Sequence, residues 1–347
     1  MRGPGEALDE GLAGTGAAPA PTGPDLAATA AGLDLIGAEE IARLLTPVAA
    51  AEAVAGVLRG GFDPESDPPR VNLPVAAGEL LLMPAASGAY AGVKIAGVAP
   101  ANPARGLPRI TGSYLLLDGA TLLPLALLDG AALTTLRTPA VSAVALAHLA
   151  APDAARLVLF GAGPQAYGHL RAALAVRELK SLTVVARSPE AVEALVAYAR
   201  TLGVEARGGA PQDVRDADLV ICCTTARAPL FDGRLVADGA TVVAVGSHEP
   251  GARETDTALV RRSAVYVESR AAALREAGDL LIPLNEGAIG PGQITGTLAE
   301  LLSGRAPVAP DRPRLFKSVG MAWEDLAVAA ALHRARCHPT GQHDIVR

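Results

Sequence analysis

The spacing of apolar residues changes along the chain of 347 residues. From residue 37 to about residue 61, apolar positions recur every three or four residues, which predicts one or two helices. Residues 71–128 instead carry short runs rich in Val, Leu and Ile, separated by turn signals such as Asp118-Gly119 and Asp129-Gly130. Such runs predict a β-meander. The first part of the chain is therefore predicted to be an α+β domain.

From Thr138 onward the pattern becomes an alternation of short apolar strands and helical segments. The predicted strands are 157–160, 182–186, 219–223, 241–245 and 264–267. This alternation predicts an α/β fold with a Rossmann-type, doubly wound parallel sheet and helices on both faces. Residues 321–335 then predict an amphipathic helix that packs back on the first domain.

The ends and the overall composition restrict the class of protein. Residues 1–28 are rich in Gly, Ala, Pro and Thr without apolar periodicity, and are predicted to be disordered. The start contains acids where an export signal needs bases, and no uninterrupted run of 18 apolar residues occurs, so we expect neither export nor a membrane span. A net charge of −6 argues against nucleic-acid binding.

The three cysteines indicate neither a disulfide framework nor a metal site. Cys222 and Cys223 are neighbours in a predicted strand, a usage that fits a reducing cytoplasm. Cys337 lies near His338 and His343, but the three do not have the spacing of common metal motifs. We therefore predict no metal ion.

A glycine-rich turn follows the first strand of the alternation, in the sequence LVLFGAGPQAYGHL at 157–170. Gly161 permits a tight turn, Gly163 lets the backbone approach a pyrophosphate, and Ala166 lets the next helix pack closely on the strand. The alternative is a turn that needs glycine for packing only. The predicted cofactor-binding residues of this turn are Gly161, Ala162, Gly163, Pro164, Gln165 and Ala166.

The end of the second strand bears on the choice of cofactor. Ala186 stands where an NAD-specific fold carries an acid, and Arg187 and Ser188 follow. An arginine can neutralise a 2′-phosphate and a serine can donate to it, so NADP(H) is preferred, with NAD(H) possible. Alternatively, Arg187 is solvated and Ser188 caps the next helix; both roles can coexist.

Four segments together resemble the ornithine cyclodeaminase/mu-crystallin family over residues 35–335. They are GVKIAGVAPAN around Lys94, LLDGAALTTLRTPAVSAVA around Arg137, the GAGPQA turn, and FKSVGMAWEDLA around Lys317. The resemblance implies a homodimer, with a Rossmann domain (138–309) inserted in an α+β substrate-binding and dimerisation domain (29–137 plus 310–347). Family members bind a nicotinamide cofactor and a small α-amino or α-imino acid.

The resemblance also implies roles for individual residues. Arg70, Lys94 and Arg137 match the positions that bind the substrate carboxylate, and Thr111 matches a polar position near the substrate. Three cations in apolar stretches of sequence would repel one another without an anion. Taken singly, however, Arg70 and Lys94 can be surface residues. The cofactor positions implied outside the glycine turn are Thr138, Thr224, Thr225, Gly246, Ser247, His248, Ser318 and Gly320.

Two departures from the family pattern bear on the reaction. His248 stands where the cyclodeaminases carry an aspartate, and Leu81 stands where they carry a second acid. Cyclodeamination needs such a base, whereas reduction of a cyclic imino acid needs a bound carboxylate and an aligned hydride donor. Lys94 and His248 are the predicted catalytic residues, although His248 can equally be a neutral residue lining the cleft.

The expected activity is therefore that of an NADP(H)-dependent oxidoreductase acting on C=N or CH–NH bonds. The expected substrate is a small cyclic α-imino acid resembling Δ1-pyrroline-2-carboxylate, or an α-amino acid interconverted with its imino or keto acid. The alternatives are an ornithine or lysine cyclodeaminase, a non-catalytic protein that binds NADPH and a small ligand, and a biosynthetic enzyme for an unusual amino acid.

Overall fold

Two β-sheets, one mixed and one parallel, organise the protein. The computed structural model describes residues 32–338, and the helices and strands of both sheets lie in one unit that begins at Asp34. The predicted disordered segment 1–28 and His343 lie outside the described residues.

The first sheet has six strands in the order β1-β6-β5-β4-β3-β2. Strand β1 pairs in parallel with β6, and the other neighbours are antiparallel, as the predicted meander requires. Its strands are β1 (Asp34–Ile36), β2 (Val71–Val75), β3 (Gly78–Ser87), β4 (Tyr90–Val98), β5 (Ile110–Asp118) and β6 (Pro124–Asp129).

The second sheet has eight strands, all parallel, in the order β13-β12-β14-β11-β10-β7-β8-β9. The predicted doubly wound sheet is confirmed. Its strands are β7 (Arg156–Phe160), β8 (Ser181–Val185), β9 (Glu205–Gly208), β10 (Leu219–Cys222), β11 (Thr241–Ala244), β12 (Ala264–Val267), β13 (Ile294–Thr297) and β14 (Arg314–Lys317).

Ten α-helices connect and cover the two sheets in the described part of the chain. They are α1 (Ala38–Leu44), α2 (Pro47–Arg59), α3 (Gly130–Leu149), α4 (Pro164–Val176), α5 (Pro189–Thr201), α6 (Thr257–Arg262), α7 (Arg270–Glu276), α8 (Gly278–Asn285), α9 (Leu298–Leu302) and α10 (Ala322–Cys337). None of these helices is by itself long and apolar enough to cross a membrane; α1 and α2 reach that length and composition only together, across a 79° bend.

The junctions between the sheets differ from the sequence prediction. Helix α3 runs without a break through the predicted boundary at 137/138, with Pro139 in its interior. Strand β14, which the sequence assigned to the first domain, pairs with β11 and β12 in the second sheet. The four residues Arg314–Lys317 are buried and form ladder bonds on both sides, so they belong in the sheet centre.

Helix α10 begins and ends close to the prediction but is not amphipathic. Residues 322–330 are all buried, because the helix packs on β3 and β4 on one side and on α2 and α3 on another. A helix enclosed on all sides loses its polar face. The two acids in its first turn, Glu324 and Asp325, are therefore buried and need partners.

Candidate functional site

The glycine turn lies at the switch point of the parallel sheet. The chain leaves β7 for β8 in one direction and returns to start β10 on the other side of β7, so a crevice opens at the carboxyl ends of β7 and β10. Gly161 has a φ of +112°, and an added Cβ would lie 2.8 Å from the carbonyl oxygen of Cys223 after β10. Only glycine satisfies both conditions.

Gly163 and helix α4 form an open seat beside this turn. Gly163 precedes the first residue of α4, Pro164, and an added Cβ at Gly163 would meet nothing within 4 Å. Ala166 is fully buried between helix and sheet. The start of a thirteen-residue helix without a side-chain cap, beside open space, fits a pyrophosphate. The residues of the turn therefore suit a dinucleotide.

The second strand ends in an exposed arginine and a helix cap. Arg187 is exposed and forms no ion pair with any of residues 32–338. Ser188 caps α5, because its Oγ accepts from the Ala191 N–H at 3.2 Å, and it donates to Glu190 at 2.7 Å. Ser188 thus has the capping role that its sequence allowed, and Arg187 remains available to a 2′-phosphate.

A buried carboxylate holds the loops after β10 and β11. One oxygen of Glu254 accepts from the N–H and the hydroxyl of Thr224, both at 2.7 Å, and the other accepts from the Gly246 N–H at 2.7 Å. Burial raises the pKa of Glu254, and the charge of Lys317 opposes that rise. The Glu254 carboxylate therefore holds two predicted cofactor-binding residues, Thr224 and Gly246, in place.

A buried ion pair lies at the same end of the parallel sheet as these loops. Lys317, the last residue of β14, contacts Asp279 at 3.0 Å and donates to the carbonyl oxygen of Ser247 at 2.6 Å. Ser247 in turn donates to Ala252. Among the remaining predicted cofactor residues, Thr225 is exposed and Thr138 is buried within α3.

The loop after β14 lies against helix α3, which follows the last strand of the first sheet. Glu268 accepts from the Ser318 hydroxyl and from the N–H groups of Val319 and Gly320. Gly320 has a φ of +74°, and an added Cβ there would lie 2.6 Å from the Arg137 guanidinium. The predicted nicotinamide side of the crevice therefore adjoins a predicted substrate-binding cation.

Lys94 and Arg137 meet at a single carboxylate. The Lys94 Nζ lies 2.6 Å from Asp325 Oδ2, and the Arg137 Nε lies 3.1 Å from Asp325 Oδ1. The Arg137 Nη1 also donates to Glu324 at 2.8 Å. Lys94 and Arg137 are only 4% and 6% exposed, so neither is a surface residue. The Nη2 of Arg137 donates to no residue among 32–338.

Arg70 joins the cluster from the segment before β2. Its Nη2 donates to the carbonyl oxygens of Val319 and Gly320, at 2.8 and 2.6 Å, and its Nε lies 2.8 Å from Glu276. The structure thus brings together all three predicted cations. The expected repulsion is present, since burial and the charge of Arg137 both lower the pKa of Arg70 and of Lys94, but each cation also contacts a carboxylate from a distant part of the chain, which offsets it.

These contacts set the protonation of the cluster. Burial lowers the pKa of Lys94 to about 8, although the charge of Asp325 opposes this. For Arg137, burial lowers the pKa, but the charges of Asp325 and Glu324 outweigh it and the net shift is upward. Burial, followed by the charge of Glu268, raises the pKa of Glu324 well above its usual range. Arg137 is therefore a permanent cation and Lys94 one that can titrate.

His248 lies beside this cluster in its neutral form. Burial lowers its pKa, and the positive charge of Arg70 lowers it further. A histidine whose pKa falls below 6.5 is mostly uncharged at neutral pH. His248 can therefore accept a hydrogen bond from a substrate N–H more readily than it can supply a proton.

Sequence reasoning missed Asp67. Its carboxylate accepts from the N–H groups of Ala322 and Trp323 at the start of α10. Burial raises its pKa to about 7, helped by the charges of Asp325 and Glu268 and opposed by those two hydrogen bonds. Nothing in the segment FDPESDPPR distinguishes Asp67 from a loop residue. For Glu324 and Asp325 a signal existed, since two acids interrupt an Ala-rich helix.

Two further positions that the sequence singled out, Thr111 and Leu81, lie on the first sheet. Thr111 pairs with Gly97, three residues from Lys94 along β4, and therefore projects from the opposite face of the sheet, where it is exposed. The structure does not bring Thr111 to the cations of the same chain. Leu81 is buried on the core face, so no carboxylate occupies the position that departs from the family.

Comparison with known proteins identifies the family to which this chain is similar. The ornithine cyclodeaminase/mu-crystallin family model matches residues 37–337. The Δ(1)-pyrroline-2-carboxylate reductase of Bacillus cereus (strain ZK / E33L) is 36% identical over 281 residues, which are 77% of this chain and 85% of that protein. Mouse ketimine reductase mu-crystallin is 34% identical over 296 residues, covering 84% of this chain and 91% of that protein.

One solved structure carries ligands of the expected kind. Thermococcus litoralis Δ(1)-pyrroline-2-carboxylate reductase, in complex with NADH and L-proline, has a TM-score of 0.84 and 31% identity to this chain. The similarity covers 90% of this chain and 100% of that one. Because the family model matches residues 37–337, which include every helix and every strand of the described chain except β1, this chain belongs to the ornithine cyclodeaminase/mu-crystallin family.

Proposed function

We propose that the protein is a nicotinamide-dependent oxidoreductase that reduces a small cyclic α-imino acid such as Δ1-pyrroline-2-carboxylate. One observation carries this proposal. The loop Ser318–Gly320 lies at the carboxyl ends of the strands of the parallel sheet. It contacts Arg137 and accepts hydrogen bonds from Arg70. A carboxylate held by these cations would therefore lie next to the predicted nicotinamide position.

Side chains of the protein bind the substrate carboxylate, handle the proton and orient the substrate nitrogen. When bound, the nicotinamide supplies a hydride to the C=N carbon. Arg137 offers its Nη2 donors and Lys94 its charge to the substrate carboxylate. Lys94 and Asp67, with pKa values of about 8 and about 7, can hold or release the proton that the substrate nitrogen needs. His248 orients that nitrogen by accepting its N–H.

The cyclodeaminase alternative is less well supported. Position 248 holds a histidine that is neutral at physiological pH, and position 81 holds a buried leucine. The carboxylates that handle the amine in those enzymes are therefore missing at both positions. A non-catalytic binding protein would not need a titratable lysine and carboxyl beside its ligand, which favours an enzyme.

An absorbance assay at the NADPH band tests the proposal. Δ1-Pyrroline-2-carboxylate should oxidise NADPH, and Arg137→Lys should reduce kcat/KM by about tenfold to a hundredfold, because a lysine cannot contact Asp325 and Glu324 as Arg137 does and also present the Nη2 donors to the substrate. Release of ammonia from ornithine or lysine without net cofactor oxidation would favour the cyclodeaminase. Cofactor binding without turnover of any cyclic imino acid, amino acid or keto acid would contradict both.

We further propose that NADP(H) is preferred over NAD(H). Two features support this preference: Arg187 is exposed and has no ion pair within residues 32–338, and position 186 holds no acid. Glu190 opposes it, because its carboxylate lies next to Ser188. Arg187→Ala should raise the KM for NADPH about tenfold and leave that for NADH unchanged, while the surface control Arg105→Ala should alter neither. Equal effects on both cofactors would refute the role.

We also propose that the protein is a homodimer. Val71, Leu73 and Val75 are 53%, 50% and 44% exposed, and Ile95 is 42% exposed, all on the face of the first sheet opposite the core. A sheet face this apolar usually packs against another surface. Light scattering should give twice the monomer mass for the wild type and for Leu202→Glu, and the monomer mass for Ile95→Glu. A monomeric wild type would refute the proposal.

A further inference from the structure

The far end of α10 carries a second cluster of reactive side chains, away from the cations at its first turn. His333 and Cys337 are four residues apart on the helix and therefore share one face. Asp34, the first residue of β1, lies beside them. One ligand atom from each of these three residues lies within 4.8 Å of the other two. Nothing in the proposed reaction uses this cluster.

The imidazole of His333 has the orientation of a metal ligand. Its Nδ1 lies 3.4 Å from the Tyr90 hydroxyl, and its Nε2 lies 3.6 Å from the Cys337 sulfur. The edge of the histidine ring also meets the Tyr90 ring, with centroids 5.8 Å apart. A hydroxyl beside one ring nitrogen leaves the other nitrogen for a cation, and an outer-shell partner on the free nitrogen helps to orient a metal-bound histidine.

The distance between sulfur and nitrogen also fits. Zinc bonds of about 2.3 Å to sulfur and about 2.0 Å to nitrogen, at a tetrahedral angle, place the two ligand atoms about 3.5 Å apart. The observed separation is 3.6 Å. The same distance also accommodates a thiol hydrogen bond, so the third ligand matters: the Asp34 carboxylate completes a sulfur, nitrogen and oxygen set of the kind that binds zinc.

We propose that Asp34, His333 and Cys337 bind one divalent cation of the zinc class, with the fourth position open to water. On binding, the Cys337 thiol loses its proton to solvent and the thiolate and carboxylate together neutralise the ion. Arg336 lies 3.5 Å from Asp34 and 3.7 Å from Glu40. It would have to turn toward Glu40, which weakens the site without blocking it.

The sequence prediction of no metal ion rested on Cys337 with His338 and His343. In the fold, Cys337 contacts instead a histidine one helical turn earlier and an aspartate from the start of the described chain. A bound ion would therefore join β1 to the last turn of α10, the helix whose first turn carries Asp325.

Cobalt(II) titration of the full-length protein tests this proposal, because thiolate ligation gives a charge-transfer absorption that does not depend on turnover. The wild type should bind one equivalent with that absorption, and zinc should displace it. Cys337→Ser should abolish the absorption, and Asp34→Asn should weaken binding by about tenfold or more. The matched control His338→Gln, next to Cys337 but outside the cluster, should bind as the wild type does.

Three outcomes would overturn the proposal. The first is a wild type that binds no cobalt or zinc in equilibrium dialysis at equimolar concentration. The second is a thiolate absorption that persists in Cys337→Ser. The third is binding that survives Asp34→Asn unchanged but disappears in the double variant His338→Gln/His343→Gln, which would place the ion on the C-terminal residues. Because Asp34 is only half-buried, Asp34→Asn provides a test even if a cysteine variant folds poorly.

Discussion

Removal of the charge on Asp325 tests how the cation cluster works. Asp325 is fully buried and contacts Lys94 at 2.6 Å and Arg137 at 3.1 Å. At an effective dielectric constant of about 20, opposite charges at the Lys94 distance attract by about 6 kcal/mol before desolvation. Asp325→Asn keeps the shape and removes the charge. Because breaking a buried pair leaves uncompensated cations, urea unfolding should show a loss of about 3–5 kcal/mol.

The same substitution should shift the pH dependence of catalysis. Burial already lowers the pKa of Lys94 from 10.5 to about 8, and the charge of Asp325 limits that fall. In the wild type, kcat/KM for the imino acid should therefore decline as pH rises through about 8, when Lys94 loses its proton. Without Asp325 the pKa of Lys94 falls further, so the decline should begin at lower pH.

The assay is the initial rate of NADPH oxidation over a range of pH at low substrate concentration. Any titration of the substrate affects the wild type and Asp325→Asn equally, so only the difference between their profiles is interpreted. Lys94→Arg, which keeps its charge at all accessible pH values, should lack the decline near pH 8. The surface control Asp311→Asn should reproduce the wild-type profile. An alkaline decline at the same pH in wild type and Asp325→Asn would refute the reasoning.

Further predictions concern the cofactor side. Gly161→Ala should lower Tm and cofactor affinity together, since its Cβ would lie 2.8 Å from the Cys223 carbonyl oxygen at a φ of +112°; an unchanged Tm would contradict this. Gly163→Ala should leave Tm unchanged and weaken NADPH binding in calorimetry, because its Cβ projects into open space. Glu254→Gln should raise the KM for NADPH and cost about 1–3 kcal/mol in urea unfolding, since an amide NH₂ cannot accept. His248→Asn should lower kcat but leave the alkaline decline near pH 8 in place, because that decline belongs to Lys94 and the wild-type histidine is already uncharged at that pH.

Local patterns predicted the cofactor seat and five of the eight strands of the parallel sheet, but not β9, β13 or β14. The strand, glycine turn and helix at 157–176 are consecutive in sequence, and their roles depend on backbone geometry and apolar periodicity that neighbouring residues specify. The alternation of strands predicted parallel pairing for the same reason. It did not predict that β14 lies between β11 and β12, because a four-residue strand carries no information about its neighbours.

The carboxylates of the site could not be predicted from local sequence patterns. Lys94 and Arg137 were identified by resemblance, but Asp325 is separated from them by 231 and 188 residues, and Glu276 and Asp67 lie in segments without a distinguishing motif. The face from which Thr111 projects depends on strand register, which one residue of shift reverses.

Sequence alone was enough for the alternation of strands and helices around the glycine turn and for the family, because these depend on patterns within a few consecutive residues or on motifs in series. Which side chains meet depended on the packed fold: Asp325 with Lys94 and Arg137, and Asp34 with His333 and Cys337. Burial makes the Lys94 and Arg137 contacts matter, since removal of water strengthens these ion pairs and lowers the pKa of Lys94, and burial is a property of the packed chain alone.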